Sequence, residues 1–218
     1  MSTPAFNLDQ ASADFKAEVA EIEYDFMSST NCNHVKQYAM QYAPHVDGCV
    51  VSLWDAWNRF LRELVMLSAR GVSTGSSGRR YAPKVHLSES QVLNFLRRSK
   101  LKLKLIDGEP NWYNVNHLTT VINALGLSNS AQIVAAVGAT SVHLGSTGSI
   151  ASPVEEIRLI RNFIAHKTKP NLAKVQVLVG KNPGNHLHQY LWAKTSGGVE
   201  RFSLWVTALS ALAEAACF

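Results

Sequence analysis

The chain has 218 residues, 46% of them hydrophobic, so it carries enough apolar material for one large domain or two small ones. Its 21 Lys and Arg against 16 Asp and Glu give a formal charge of +5, a mild excess that favours polyanionic partners without requiring them. The three cysteines, Cys32, Cys49 and Cys217, are far apart and include no C-x-x-C pair, which argues against a zinc site and a disulfide framework.

The sequence shows no targeting or membrane segment. Its first residues, MSTPAFNLDQ, lack the basic stretch followed by an apolar stretch that marks a secretory signal. No segment free of charge approaches the length of a membrane span. We therefore expect a cytoplasmic protein without a membrane partner.

The first 70 residues predict helices. Apolar residues recur at helical spacing over residues 7–27, which predicts the first helix. A weaker helix is predicted at 34–42, before Pro44. The longest periodic segment covers 46–70 and ends at Gly71, a residue that favours a helix C-terminus.

The middle of the chain predicts shorter elements. Residues 71–87 are rich in Gly and Ser and are expected to form an exposed loop. Ser88 stands three residues before Gln91, a capping-box spacing that predicts a helix start. The Lys/Leu alternation over 100–105 has period two, which is typical of a half-buried strand, although continued helix is an alternative.

Two further helices are predicted at 113–125 and 129–137, each closed by a glycine. A linker of Gly, Ser and Thr follows at 145–152, and the last stretch, 199–217, predicts an apolar helix. The chain as a whole is therefore predicted to be mostly α-helical.

The segment SPVEEIRLIRNFIAHKTKP predicts a helix with clear ends. Ser152 is the expected N-cap, Pro153 suits the first helical position, and Glu155 would complete a capping box. Pro170 is expected to stop the helix. At about 100° per residue, one face is apolar and is expected to be buried. It consists of Ile157, Ile160, Phe163 and Ile164.

The opposite face of this helix is polar. Glu155, Asn162 and His166 form one stripe, and Arg158 lies beside it. Arg161 falls at the border of the apolar face, about 140° from His166. One helix therefore does not bring Arg161 and His166 together, and either a long arginine reaching round the helix or a second copy in a symmetric dimer is needed.

Arg161 and Asn162, separated from His166 by three intervening residues, resemble the motif of the HEPN superfamily of helical nucleotide-binding domains. The earlier stretch AWNRFLRELV also resembles an early HEPN helix. The resemblance implies a HEPN-like helical bundle and a metal-independent endoribonuclease that acts as a homodimer, often as a toxin or antiviral effector. Many members carry Tyr two residues after the histidine, whereas this chain has Thr168, which argues against the subgroup regulated by tyrosine modification.

We therefore predict an all-α, HEPN-like single domain covering 1–218, with an insertion of short helices and loops at about 71–150. His166 is expected to act as general acid or base, Arg161 to bind the phosphate, and Asn162 to orient the imidazole or bind phosphate. The predicted partners are RNA, a second copy of the chain, and an antitoxin or defence-system component, with no cofactor.

Basic side chains outside the motif are candidates for RNA binding, because each neutralised phosphate releases counterions. The alternative is an ordinary solvated face, or lysines that protect a strand edge. The candidates are Arg158, Arg97, Arg98, Lys100, Lys102, Lys104, Arg79 and Arg80.

Two other interpretations of the chain compete with the ribonuclease. A noncatalytic helical module that binds RNA or a protein partner would use the same basic surface, and a DNA-binding regulator ranks last because no basic recognition helix follows a tight turn. His186 and His188, in a segment expected to be a loop, have no carboxylate or thiol partners in sequence, and we predict no metal site there.

Overall fold

The computed structural model describes residues 5–29, 43–75, 77–99, 101, 105, 109–145, 148–180, 183–195 and 197–218. Helices account for 70% of these residues and strands for 9%, so the mostly helical class is confirmed and short strands are added to it. The predicted helix at 34–42, Cys32 and the lysines Lys100, Lys102 and Lys104 lie outside the described residues. None of the described helices combines the length and apolar character needed to cross a membrane.

The described helices match the predicted ones closely in the first, middle and last parts of the chain. They are α1 (Leu8–Ser28), α2 (Ala43–Arg70), α3 (Glu89–Arg98), α4 (Val115–Leu125), α5 (Ser130–Val137), α6 (Pro153–His166), α7 (Lys169–Val179), α8 (Pro183–Trp192) and α9 (Arg201–Cys217). The strands are β1 (Ala5–Asn7), β2 (Val72–Thr74), β3 (Arg80–Tyr81), β4 (Ser141–His143) and β5 (Ser149–Ala151).

The chain divides into two compact units. Unit 1 comprises Met1–Lys16, Trp57–Ala139 and Leu212–Phe218, and unit 2 comprises Ala17–Ala56 and Thr140–Ala211. The single-domain organisation with an insertion at about 71–150 stays a prediction.

Unit 1 contains a small sheet where the sequence predicted an exposed loop at 71–87. β1 and β2 pair in parallel, and β3 pairs antiparallel to β2. Ser73 and Tyr81 are buried, and the Tyr81 hydroxyl donates to the Phe218 main-chain oxygen at 2.5 Å. The Gly/Ser run does form a turn, but the strands on either side of it are only two or three residues long, too short to show a period in the sequence.

The core of unit 1 is built on the second half of α2. Trp57 is fully buried and its ring lies 5.7 Å from that of Phe15, which also packs on Phe60 at 4.8 Å. Burying aromatic side chains of this size contributes about 2–3 kcal/mol each.

A charged cluster fixes α3 and the segment after it to α2. Arg62 donates from Nε and Nη2 to both carboxylate oxygens of Glu109, at 2.8 and 3.0 Å, and from Nη2 to Glu89 at 2.6 Å. The hydrogen bond from Arg62 lowers the pKa of Glu109 below its ordinary value, and the indole of Trp112 donates to the same carboxylate at 2.9 Å. Arg62 is therefore a structural cation, fully engaged by its neighbours.

The helix starts and stops of unit 1 follow the sequence signals. Ser88 accepts from the Gln91 N–H at 3.3 Å while the Gln91 side chain accepts from the Ser88 N–H at 2.7 Å, so the predicted capping box is confirmed. Gly126 ends α4 with a φ of 65°, a left-handed conformation that glycine adopts without the steric cost of a side chain.

Unit 2 differs from the sequence prediction in the hairpin before α6, in α8 and at both ends of α6. The predicted linker at 145–152 is wrong in part, because β4 and β5 form an antiparallel hairpin that buries Val142 and Ile150. The segment GNHLHQY lies in α8 and not in a loop. The aromatic ring of Phe26 stacks on Trp192 at 3.9 Å and on Phe202 at 4.0 Å, so α8 is held to α1 and α9.

Two glycines give opposite predictions for stability. A Cβ at Gly75 would clash with the main-chain oxygen of Cys217 and crowd Phe218, so Gly75→Ala is expected to lower the free energy of unfolding by about 1–3 kcal/mol. A Cβ at Gly48, in α2, meets nothing within 4 Å, so Gly48→Ala should raise it by about 0.5–1 kcal/mol. Urea unfolding of both variants checks the signs, and equal effects would contradict the packing of Gly75.

Candidate functional site

α6 begins differently from the prediction. Ser152 precedes the helix, but it has a φ of 44° and its side chain makes no capping hydrogen bond. Its main-chain N–H donates instead to Thr140 at 2.8 Å, which ties the residue to the β4 side of the hairpin. The predicted capping box with Glu155 is therefore wrong, and the Glu155 carboxylate accepts from Arg158 at 2.5 and 2.7 Å.

α6 also ends earlier than expected. The last helical residue is His166, and Lys167 follows it with a φ of 43° and donates its N–H to Phe163 at 2.8 Å. Pro170 does not stop this helix. It lies in the first turn of α7, where the missing proline N–H leaves no hydrogen bond unmade.

The burial pattern of α6 follows the predicted faces. Ile157 and Ile160 are fully buried, Phe163 is nearly so, and Ile164 is half-buried. On the other side His166 is exposed. The register of the helix was therefore predicted correctly, and it turns the polar stripe away from the core.

The three predicted catalytic residues are only partly brought together. Arg161 and Asn162 are half-buried, and Arg161 donates from Nη1 to the Asn162 side-chain oxygen at a long 3.4 Å. The Asn162 main-chain oxygen accepts from the side chain of Asn171 at 3.2 Å. The His166 side chain makes no hydrogen bond to the side chain of either residue within the described part of the chain, as expected for a residue about 140° from Arg161 on one helix.

The predicted RNA-binding residues are divided between the units. Arg158 lies in unit 2 and is paired with Glu155 at 2.5 Å. The other described candidates lie in unit 1 and are exposed, and none of them forms an ion pair with a described residue; they are Arg79, Arg80, Arg97 and Arg98. The charge of Arg97 also contributes to lowering the pKa of Glu109, so its guanidinium lies near that carboxylate.

One buried polar cluster in unit 2 was missed by the sequence prediction. Glu156, 6% exposed, accepts a hydrogen bond from the Tyr190 hydroxyl and lies 3.5 Å from Nη1 of Arg201. The Arg201 guanidinium also lies over the Tyr190 ring, 4.8 Å from its centre. Glu156 stands four residues before Ile160 and seven before Phe163, so its position on the apolar face was the signal that could have revealed it.

Burial raises the pKa of both acidic groups in this cluster. Burial raises the pKa of the Glu156 carboxyl above its ordinary value, while the Tyr190 hydrogen bond and the Arg201 charge act in the opposite direction. Burial and the Glu156 charge raise the pKa of Tyr190, so its hydroxyl remains a donor. Together these contacts fix the first turns of α6 to α8 and α9.

The two histidines of α8 have separate partners. His188 lies 3.1 Å from the carboxylate of Asp47, and His186 contacts Gln189 at 2.9 Å. Two residues apart on a helix, they point about 160° away from each other. Among the described residues, no group of three or more His, Cys, Asp or Glu side chains could hold a metal ion.

A groove of about 300 Å³ runs along α2 in unit 1. Its lining combines residues of both charges with two apolar ones. The lining residues are Arg59, Arg62, Glu63, Met66, Leu67, Arg70 and Glu89. Glu89 and Glu109 pair with Arg62, so part of the positive charge of this groove is neutralised by the protein's own carboxylates.

No family model, curated protein or solved structure matches this chain. The HEPN resemblance of Arg161, Asn162 and His166 therefore stays a prediction.

Glu156→Gln is expected to change the pH dependence of stability. Because the folded-state pKa of Glu156 is raised, the folded protein binds the proton more tightly than the unfolded chain does. In the wild type, the Glu156 contribution to the free energy of unfolding therefore falls as pH rises from the unfolded pKa through the folded one. The neutral glutamine lacks this loss, so the variant gains stability relative to wild type as pH rises.

Urea unfolding at several pH values between 4 and 8 measures this difference. Glu155→Gln is the matched control, because Glu155 is exposed and its pair with Arg158 lies at the surface. A wild-type-to-Glu156→Gln difference that stays constant over this range would contradict the assigned environment of the carboxyl.

Proposed function

We propose that this chain is an endoribonuclease that cleaves RNA by attack of a ribose 2′-hydroxyl on the adjacent phosphate. In this proposal His166 transfers the proton, Arg161 binds the phosphate, and Asn162 helps to orient them. The HEPN resemblance of the motif supports this class of reaction and its independence of a metal. The geometry of Arg161 gives it separate support.

Arg161 differs from the other half-buried arginines of the described chain. There are four of them, and the other three are each paired with glutamate: Arg62 with Glu89 and Glu109, Arg158 with Glu155, and Arg201 with Glu156. Arg161 has no carboxylate partner within the described residues, and its Nε, like that of Arg201, is buried without a hydrogen bond. This observation carries the proposal.

A half-buried guanidinium without a counter-ion is costly unless an anion supplies acceptors. A phosphate offers several oxygens in the geometry that a guanidinium binds through two parallel N–H bonds. Bound phosphate would therefore supply the missing acceptors, and the same contacts would stabilise the charge that builds during cleavage.

The position of His166 suits proton transfer. It is exposed at the end of α6, so RNA can reach its imidazole. Imidazole is the side chain most often used as general acid or base near neutral pH. In the proposed reaction the 2′-oxygen gives its proton to an imidazole and bonds to phosphorus, and the bond from phosphorus to the 5′-oxygen breaks. A protonated imidazole gives its proton to that leaving oxygen, which leaves a 2′,3′-cyclic phosphate and a 5′-hydroxyl.

The angle between Arg161 and His166 favours a site made by two chains. One α6 helix directs them about 140° apart, whereas a symmetric dimer would set Arg161 of one copy beside His166 of the other. We therefore propose a homodimer as the active form. A toxin or antiviral role, with an antitoxin or defence component as partner, is the biological setting that the resemblance implies.

The same angle is also the observation that favours the second candidate, a noncatalytic module that binds RNA. Such a module needs the charge of Arg161 but not its convergence with an imidazole. The two functions differ in their dependence on His166, which a binding module would tolerate losing.

We expect purified wild-type protein to cleave a labelled structured RNA in EDTA. His166→Ala and Arg161→Ala should each reduce the cleavage rate by at least about 100-fold, because each removes a group that acts in the transition state. Denaturing gels with end-group analysis measure the rate and identify the cyclic phosphate.

His143→Ala is the control for this assay, because His143 is another exposed histidine of unit 2 and bonds only to the exposed Ser149 among the described side chains. Circular dichroism checks that each variant is folded. Binding without cleavage by the wild type would leave the binding module as the function. Full cleavage by His166→Ala would exclude His166 as the general acid or base. A dilution-stable monomer in light scattering that still cleaves would exclude the two-chain site.

The basic residues of unit 1 are expected to contribute to RNA affinity through charge. Replacing Arg97 and Arg98 together by alanine should reduce the slope of log affinity against log salt by about 1–2, since each phosphate contact contributes slightly less than one. Fluorescence anisotropy over 50–300 mM salt measures the slope. Lys194→Ala, another exposed cation, is the control, and an unchanged slope in the double variant would place RNA elsewhere.

A further inference from the structure

The corner between α6 and α7 lies directly beside the candidate site. Lys167 and Thr168 connect the two helices, and Asn171 is the third residue of α7. The Asn171 side chain reaches back across the corner, and its Nδ2 donates to the main-chain oxygen of Asn162 at 3.2 Å. A residue outside the R-x4-H motif therefore contacts the motif.

The acceptor of this hydrogen bond is a particular carbonyl. In an α-helix the oxygen of residue i accepts from the N–H of residue i+4, so the Asn162 oxygen is also the acceptor for the N–H of His166. Asn171 thus adds a second hydrogen bond at the carbonyl that closes the turn carrying His166.

That turn needs support from outside the helix. His166 is the last residue of α6, and the residues at a helix end open more readily than its middle because they lack one neighbouring turn. Lys167 then leaves the helix in a left-handed conformation that non-glycine residues adopt at a cost. Among the described side chains, only Asn171 donates a hydrogen bond to a main-chain oxygen of the last turn and a half.

We propose that Asn171 is a positioning residue for His166, holding the final turn of α6 so that the imidazole is presented in one orientation. This role rests on the proposed function, since it concerns the same site. Asn171 need not touch RNA: it acts through the Asn162 carbonyl, which it braces against α7.

The role is separable from folding. α7 has its own buried anchor in Val175, and α6 is held by its apolar face and by Glu156. The loss of one half-buried hydrogen bond at the corner should therefore leave both helices in place while the last turn opens more often.

Two substitutions test the role. Asn171→Ala removes the donor without adding charge. Asn171→Asp keeps the shape but cannot donate, and its carboxylate would favour the positive end of α7, so the fold is expected to be preserved or strengthened. Gln176→Glu, on an exposed position of the same helix, makes the same amide-to-carboxylate change and is the matched control.

We expect kcat for RNA cleavage to fall about tenfold in both Asn171 variants, with KM for Asn171→Ala within about threefold of wild type. Hydrogen exchange of the His166 backbone N–H should quicken by about the same factor, because the opening of the last turn is no longer opposed. Thermal unfolding of Asn171→Asp should be at or above that of wild type. Gln176→Glu should leave kcat and the exchange of the His166 N–H unchanged.

The outcomes distinguish this role from the proposed function. A wild-type protein that does not cleave RNA overturns the proposed function and this role with it. Normal kcat in both folded Asn171 variants, with cleavage by the wild type intact, overturns the role of Asn171 alone. A loss of kcat that follows thermal stability, and is absent in Asn171→Asp, shows Asn171 to be merely structural.

Discussion

The buried carboxylate of Glu156 constrains the helix on which the candidate site lies. Tyr190 and Arg201 supply partners for a charge in this position, and each comes from a different helix. Making these contacts fixes the rotation of α6 about its own axis as well as its position. With Ile157 and Ile160 buried on one face of α6, Asn162 and His166 lie on the other face.

The sequence predicts long helices well and short strands poorly, for a physical reason. α1, α2 and α9 repeat their apolar pattern over several turns, so tertiary contacts reinforce what the pattern already favours. β2 and β3 are too short to repeat anything, and they form because Tyr81 and Ser73 are buried by residues distant in sequence. Their pairing depends on tertiary contacts, which a local sequence pattern does not encode.

Capping shows the same division between local and distant causes. Ser88 forms its capping box because Gln91, only three residues away, supplies both the N–H and the side-chain oxygen that the box needs. Ser152 has the same local signal, yet its main chain is drawn to Thr140 by the β4–β5 hairpin, and its side chain makes no cap. At the candidate site, the helical period of about 100° per residue predicts that His166 faces away from the core. The contact from Asn171 and the cluster around Glu156 depend on neighbouring helices and could not be predicted.

Arg161 has no carboxylate partner among the described residues, and its position on α6 explains this. Arg62, Arg158 and Arg201 each meet a glutamate, and a paired guanidinium contributes to the fold but has little affinity left for another anion. Arg161 sits at the border of the apolar face, where its aliphatic stem can be buried while its polar end reaches the surface beside Asn162. A half-buried guanidinium without a carboxylate partner, as Arg161 is among the described residues, costs stability in the free protein. Binding of an anion there would recover that cost, so the same feature that weakens the fold locally would strengthen the binding of a phosphate.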